Sequence, residues 1–267
     1  VFNARTATYT EQVSLPPVAG ASDVHTVTFQ SETGNPANVT LQFPTSTTDA
    51  NYVLRLSGTD HLRIRNMTLT SSGTNTSYRT VLMLDGNVSD LLVQGNVFNG
   101  YGTNSGGATY ALISSGSNYV LSTNVSISGN RFNASGFGVY LYSVTTTPTS
   151  TGTVIHGNTF ANPNGYGAVY LAYHTAPVID SNTVTTSYEG IELGSCPGAL
   201  RILKNRLDVA TYYGIYLSSC NGNTDNGLIA NNFVHLGGTS SGYGILLNSC
   251  NYQDVDYNSV NMTCTGT

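Results

Sequence analysis

Two of the chain's few glutamates, Glu189 and Glu192, stand three residues apart in the phrase SYEGIEL. Paired carboxyl groups are what acid–base cleavage of a glycosidic bond requires, at separations of roughly 5–9.5 Å. In the segment IEL, strand alternation turns Ile191 and Leu193 to one side and Glu192 to the other. The same outward place in the related phrases VYL, VYL and IYL belongs to Tyr140, Tyr170 and Tyr216, so Glu192 is expected in a column of tyrosines. A second column, just before a glycine, is expected to hold Phe137, Tyr188 with Glu189, Tyr213 and Tyr243. Aromatic faces beside carboxylates stack on the C–H faces of sugar rings and accept hydrogen bonds from their hydroxyls. Tyr140, Tyr170, Glu192, Tyr213, Tyr216 and Tyr243 are therefore the candidate glycan contacts, and Glu189 and Glu192 the candidate acid–base pair. The plainer reading is a ladder of tyrosines packed on one another around a solvated glutamate.

The cysteines form a second constellation. Cys196, Cys220 and Cys250 each follow a core leucine by three residues, in LGSC, LSSC and LNSC, and the same offset from Leu171 gives His174. Stacked at the inter-strand spacing of about 4.8 Å, neighbouring cysteines lie within disulfide reach, so bridged and free thiols both stay open. Zinc needs four ligands converging on one point, whereas a linear stack diverges. No metal site is read from it, and Cys264 falls outside the column. His25, His61, His156 and His235 are scattered and read as turn or surface residues. No motif implies a cofactor; the glycine-rich YGTNSGG at Tyr101–Gly107 lacks the lysine and following helix of a phosphate loop.

A repeat positions these residues. An aliphatic residue, two variable ones, Asn, another variable one and an apolar residue recur around Asn96, Asn130, Asn158, Asn182, Asn205, Asn232 and Asn258, with a looser copy at Asn66. A second phrase keeps step between the marks: LML, VYL, VYL, IEL, IYL and ILL. Each segment is short, β-branched or aromatic and alternating, and is bounded by Gly, Asn, Ser and Thr, so it reads as strand between turns. A unit of this size cannot bury its apolar face alone, but stacked units pair every strand with the equivalent strands above and below. The sequence thus predicts an all-β, single-stranded, right-handed parallel β-helix of roughly ten coils, with stacked Asn side chains satisfying one another inside a turn.

The Asn-marked turn and the stacked VYL strands make the chain resemble the right-handed parallel β-helix proteins of the pectin-lyase-like superfamily. YTEQVSL at Tyr9–Leu15 is similar to the opening strand of pectin methylesterases. VTFQSETGNPANVTL at Val27–Leu41 looks like the start of β-helix modules in large secreted surface proteins of the Bacteroidetes type. The resemblance implies export and a multi-domain parent, with the chain as one domain over 1–267. It identifies no activity, because one solenoid hosts lyases, esterases, hydrolases and inert stalks. The acidic cluster of the lyases and the paired Asp motifs of the esterases have no counterpart here, so no catalytic residue carries over.

Composition bounds the rest. Over 267 residues there are 9 basic and 14 acidic side chains, for a net charge of −5. That balance argues against a nucleic-acid partner, since phosphate neutralisation needs a basic surface. No apolar run approaches the roughly 20 residues of a membrane span. The expected function is a non-catalytic, extracellular or cell-surface β-solenoid, structural or adhesive, contacting polysaccharide through its tyrosine columns. The alternatives are a polysaccharide-active hydrolase or lyase using Glu189 and Glu192, and a subunit that self-associates end to end into filaments.

Overall fold

A computed structural model describes the chain except at positions 76, 103–104, 117–119, 148, 163 and 267. The chain winds as a parallel β-solenoid of about nine turns, with helix among the described residues confined to the single turns Pro36–Asn38 and Ala108–Tyr110. Every strand pairing is parallel, and three sheets run the length of the coil. One turn shows the plan. Val178–Asp180 lies in the first sheet, Thr183–Thr186 in the second and Glu189–Gly194 in the third, before Arg201–Leu203 returns to the first.

The register follows the repeat. Ile127, Ile155, Ile179, Ile202 and Ile229 stack in the first sheet, and Val139, Val169, Ile191, Ile215 and Ile245 in the third. Phe98, Phe132 and Phe160 stack in the second, with ring centroids 5.1 and 4.7 Å apart. These side chains line one continuous apolar core. Burying each is worth roughly 1.5–3 kcal/mol, which no isolated coil could collect.

Two corners carry polar ladders. At the first, the Asn130 amide N–H donates to Asn158 Oδ1 at 2.9 Å, while Asn130 Nδ2 donates to Val93 O and to the same Oδ1. Equivalent bonds repeat from Asn96 to Asn258. The residue before each ladder Asn is left-handed, as at Gly129 (φ 62°), Ser181 (φ 58°) and Lys204 (φ 54°). That bend corrects one expectation. Asn66 is itself the left-handed residue (φ 52°), and the next rung is Met67, whose N–H donates to Asn96 Oδ1 at 3.0 Å.

The second ladder is built of thiols. The Cys196 N–H donates to Cys220 Sγ at 3.4 Å and the Cys220 N–H to Cys250 Sγ at 3.3 Å. Each Sγ donates in turn to the carbonyl of Leu171, Leu193 or Leu217. Ser195, Ser219 and Ser249 supply the left-handed residue before each thiol. All three cysteines are free. Earlier coils do the same work with hydroxyls, since the Ser122 N–H donates to Ser150 Oγ at 2.7 Å.

Candidate functional site

The third sheet carries the tyrosines and the glutamate pair. Its register aligns Ser114, Tyr140, Tyr170, Glu192, Tyr216 and Leu246 in one column. The parallel column is Ala111, Phe137, Gly167, Glu189, Tyr213 and Tyr243. Tyr188 belongs to neither. It stacks on Tyr166 at 5.1 Å and meets Tyr212 at 5.8 Å with planes tilted 42°, in a third row at the bend that feeds the sheet. The expected pairing of Tyr188 with Glu189 in one column is thus corrected, because Glu189 itself takes the place aligned with Gly167 and Tyr213 and leaves Tyr188 one residue ahead of the strand.

Within this face the rings make a cup. Tyr140 and Tyr170 stack with centroids 4.3 Å apart and planes 11° off parallel. Phe137 meets them edge-on, at 66° and 63°. Tyr166 is tilted 51° to Phe137. Gly167 makes this possible, since a Cβ there would collide with the Phe137 ring. The depression between them, about 260 Å³, is lined by Phe137, Tyr140, Tyr166, Tyr170, Glu192 and the loop residues Gly106 and Gly107. Tyr213, Tyr216 and Tyr243 lie outside it, along the next coils, with Tyr213 and Tyr216 stacked at 4.6 Å.

Glu189 sits beside the cup and is only 5% exposed. Its Oε2 finds no hydrogen-bond partner. Burial, and then the neighbouring Glu192, push its carboxyl up to about 9, so at neutral pH it keeps its proton. Burial and the two glutamates raise the Tyr166 hydroxyl to about 12. Burial, together with Tyr140 and Glu192, drives Tyr170 well above the ordinary phenol range. The cup therefore presents neutral phenols and Glu192, with the protonated Glu189 carboxyl beside it.

Three residues escaped the sequence reading. Tyr166 and the pair Gly106–Gly107 belong to segments that looked like plain turns and loops. Tyr166 could have been found, because it stands three residues before Val169 just as Tyr188 does before Ile191 and Tyr212 before Ile215. Of the four histidines read as turn or surface residues, three are paired with acids, and His25 Nδ1 lies 3.3 Å from Ser22 Oγ. His61 Nδ1 lies 2.9 Å from Asp90, His156 Nδ1 lies 3.0 Å from Asp180 and His235 Nδ1 lies 2.8 Å from Asp208. His235 also reaches Thr263 Oγ1 through Nε2 at 3.0 Å.

A family model described as periplasmic copper-binding protein (NosD) matches residues 31–235 and, overlapping them, 146–267. The chain belongs to the NosD family. No curated protein and no solved structure matches it. The periplasmic description of the NosD family agrees with the extracellular or cell-surface placement read from the sequence. Its mention of copper can be tested on the side chains. Among the described residues no three His, Cys, Asp or Glu groups converge. The richest soft-donor set is His174 with Cys196, Cys220 and Cys250, where each thiol proton is engaged by a main-chain carbonyl. Burial raises the Cys196 thiol well above its ordinary range, while the hydrogen bond with Cys196 lowers that of Cys220, so the neighbouring thiols do not offer two thiolates together. The described residues do not fit a copper ion. No helix among them is long and apolar enough to cross a membrane.

Proposed function

We propose that this NosD-family chain is a non-catalytic solenoid module, part of a larger secreted or surface protein, that contacts glycans through the aromatic face of its third sheet. The observation that carries the reading is the cup formed by Phe137, Tyr140, Tyr166 and Tyr170 around Glu192. The rings offer C–H stacking surface, and the phenol hydroxyls and Glu192 offer donors and acceptors to sugar hydroxyls. At about 260 Å³ the depression falls below the roughly 300–1,000 Å³ of sites that enclose a whole drug-sized ligand, and suits one ring of a longer chain.

Glu189 and Glu192 support binding better than cleavage. They influence each other as direct neighbours competing for one proton. Glycosidases instead hold their carboxyls roughly 5–9.5 Å apart to admit a nucleophile or a water. The test is retention on a panel of immobilised glycans, with reducing ends and unsaturated products assayed in parallel. Retention that falls at least tenfold in Tyr170→Ala, with no product formed, is the expected result. Products abolished by Glu192→Gln would instead make the pair catalytic, and failure of a correctly folded chain to retain any glycan would refute the contact.

A further inference from the structure

We infer that the cup on the third sheet binds an organic ammonium group, presented by the glycan as the protonated amine of a glucosamine-type residue. This rests on the glycan-contact reading above and narrows it to a sugar class.

The ring geometry comes first. A neutral sugar ring needs a flat platform, whereas here Phe137 stands at 51–66° to Tyr140, Tyr166 and Tyr170, and the rings line an open depression instead of a plane. Aromatic rings set around such a depression attract a cation through their quadrupoles. Four aromatic rings line the space, and the stacked Tyr140–Tyr170 pair extends one wall across two coils.

Charge points the same way. The one acid lining the cup is Glu192, and no Arg, Lys or His lines it. A uronate, sulfate or phosphate would meet a carboxylate with nothing to offset it, whereas an ammonium meets its counter-ion. Behind the wall, Glu189 is 5% exposed and its Oε2 lacks any partner. A buried oxygen left this way lacks the hydrogen bond it would have in water. A cation in the cup is compensated by the Glu192 carboxylate in front of it, which a neutral hydroxyl is to a smaller degree.

The experiment is calorimetric titration of the chain at pH 6.5 with four probes: a β-1,4-glucosamine tetramer, its fully N-acetylated form, a β-1,4-glucose tetramer and tetramethylammonium. The amine tetramer is expected to bind at least tenfold tighter than either neutral tetramer, with measurable binding of tetramethylammonium. Glu192→Gln and Tyr140→Ala are each expected to lose tenfold or more for the amine, while Tyr257→Ala, exposed just after the strand Gln253–Asp256 of the first sheet, leaves it unchanged. Tyr170→Phe, which keeps the ring, retains binding if the π-face is the contact. Equal or tighter binding of the neutral tetramers would overturn the ammonium inference and leave the glycan reading intact. Binding of tetramethylammonium alone would overturn the sugar amine as the ligand. No binding of any probe by a chain with native circular dichroism would overturn both.

Discussion

Two buried titratable side chains pull the stability of this rod in opposite directions with pH. Glu189 is held protonated to about 9, by burial first and Glu192 second. The unfolded chain gives up that proton near the ordinary 4.5, so across this window the native state binds more protons. Stability from this group is fully present below about 4.5 and declines as pH rises toward 9. His174 is the reverse case. Burial lowers it to about 4 from an ordinary 6.5, with Nδ1 bonded to Thr153 Oγ1 at 2.8 Å and Nε2 unpartnered. Below 6.5 the unfolded chain takes up a proton that the native state refuses, so this contribution is lost as pH falls toward 4. Urea midpoints measured from pH 4 to 9 should therefore fall on the alkaline side. Between about 4.5 and 6.5 the two groups offset each other, so Glu189→Gln should flatten the alkaline limb and uncover a loss of stability toward acid, whereas His174→Ser should extend the decline over the whole span from about 4.5 to 9. An unchanged alkaline slope in Glu189→Gln would contradict the buried, protonated glutamate.

At the scale of strands and corners, the ladders set what each position tolerates. Asn158→Ala would leave the Asn130 N–H and the Ile127 carbonyl without their partners inside the stack. Each orphaned group costs about 1–3 kcal/mol, so a loss of about 3 kcal/mol is expected from urea unfolding. Cys220→Ser should stay within about 1 kcal/mol, because a hydroxyl accepts and donates as Ser150 does three rungs earlier. The same elements explain what could be read in advance. The column from Tyr140 through Tyr170 and Glu192 to Tyr216 was legible because the strand between a fixed Gly and a fixed Leu has constant length. Tyr188 was misplaced because Glu189 itself takes the place aligned with Gly167 and Tyr213. Asn66 was misassigned because Asn suits both the left-handed bend and the rung that follows it. Gly106 and Gly107 were invisible because a loop from an earlier coil folds across the cup, and no periodicity records that.

For the whole molecule, each coil touches only its neighbours, so cooperativity is local along the axis and opening should start where a coil has one neighbour. Val255, Val260 and Met262 are 45–47% exposed, whereas Ile155, Ile179 and Ile202 are fully buried. Hydrogen exchange of this 267-residue chain should accordingly show the slowest amides in the strands around Ile155–Ile202 and the fastest in Phe2–Ala4 and Ser259–Met262. Uniform protection from first strand to last would mean that the stack unfolds as one block.

The Asn row has a further consequence. From Asn96 onward every rung's main-chain N–H aims at the coil that follows, and the thiol row runs in the same sense. Each rung also donates backward, from Asn Nδ2 or Cys Sγ to a carbonyl of the preceding coil, so a rung clasps the coils on both sides of it and its removal loosens two seams at once.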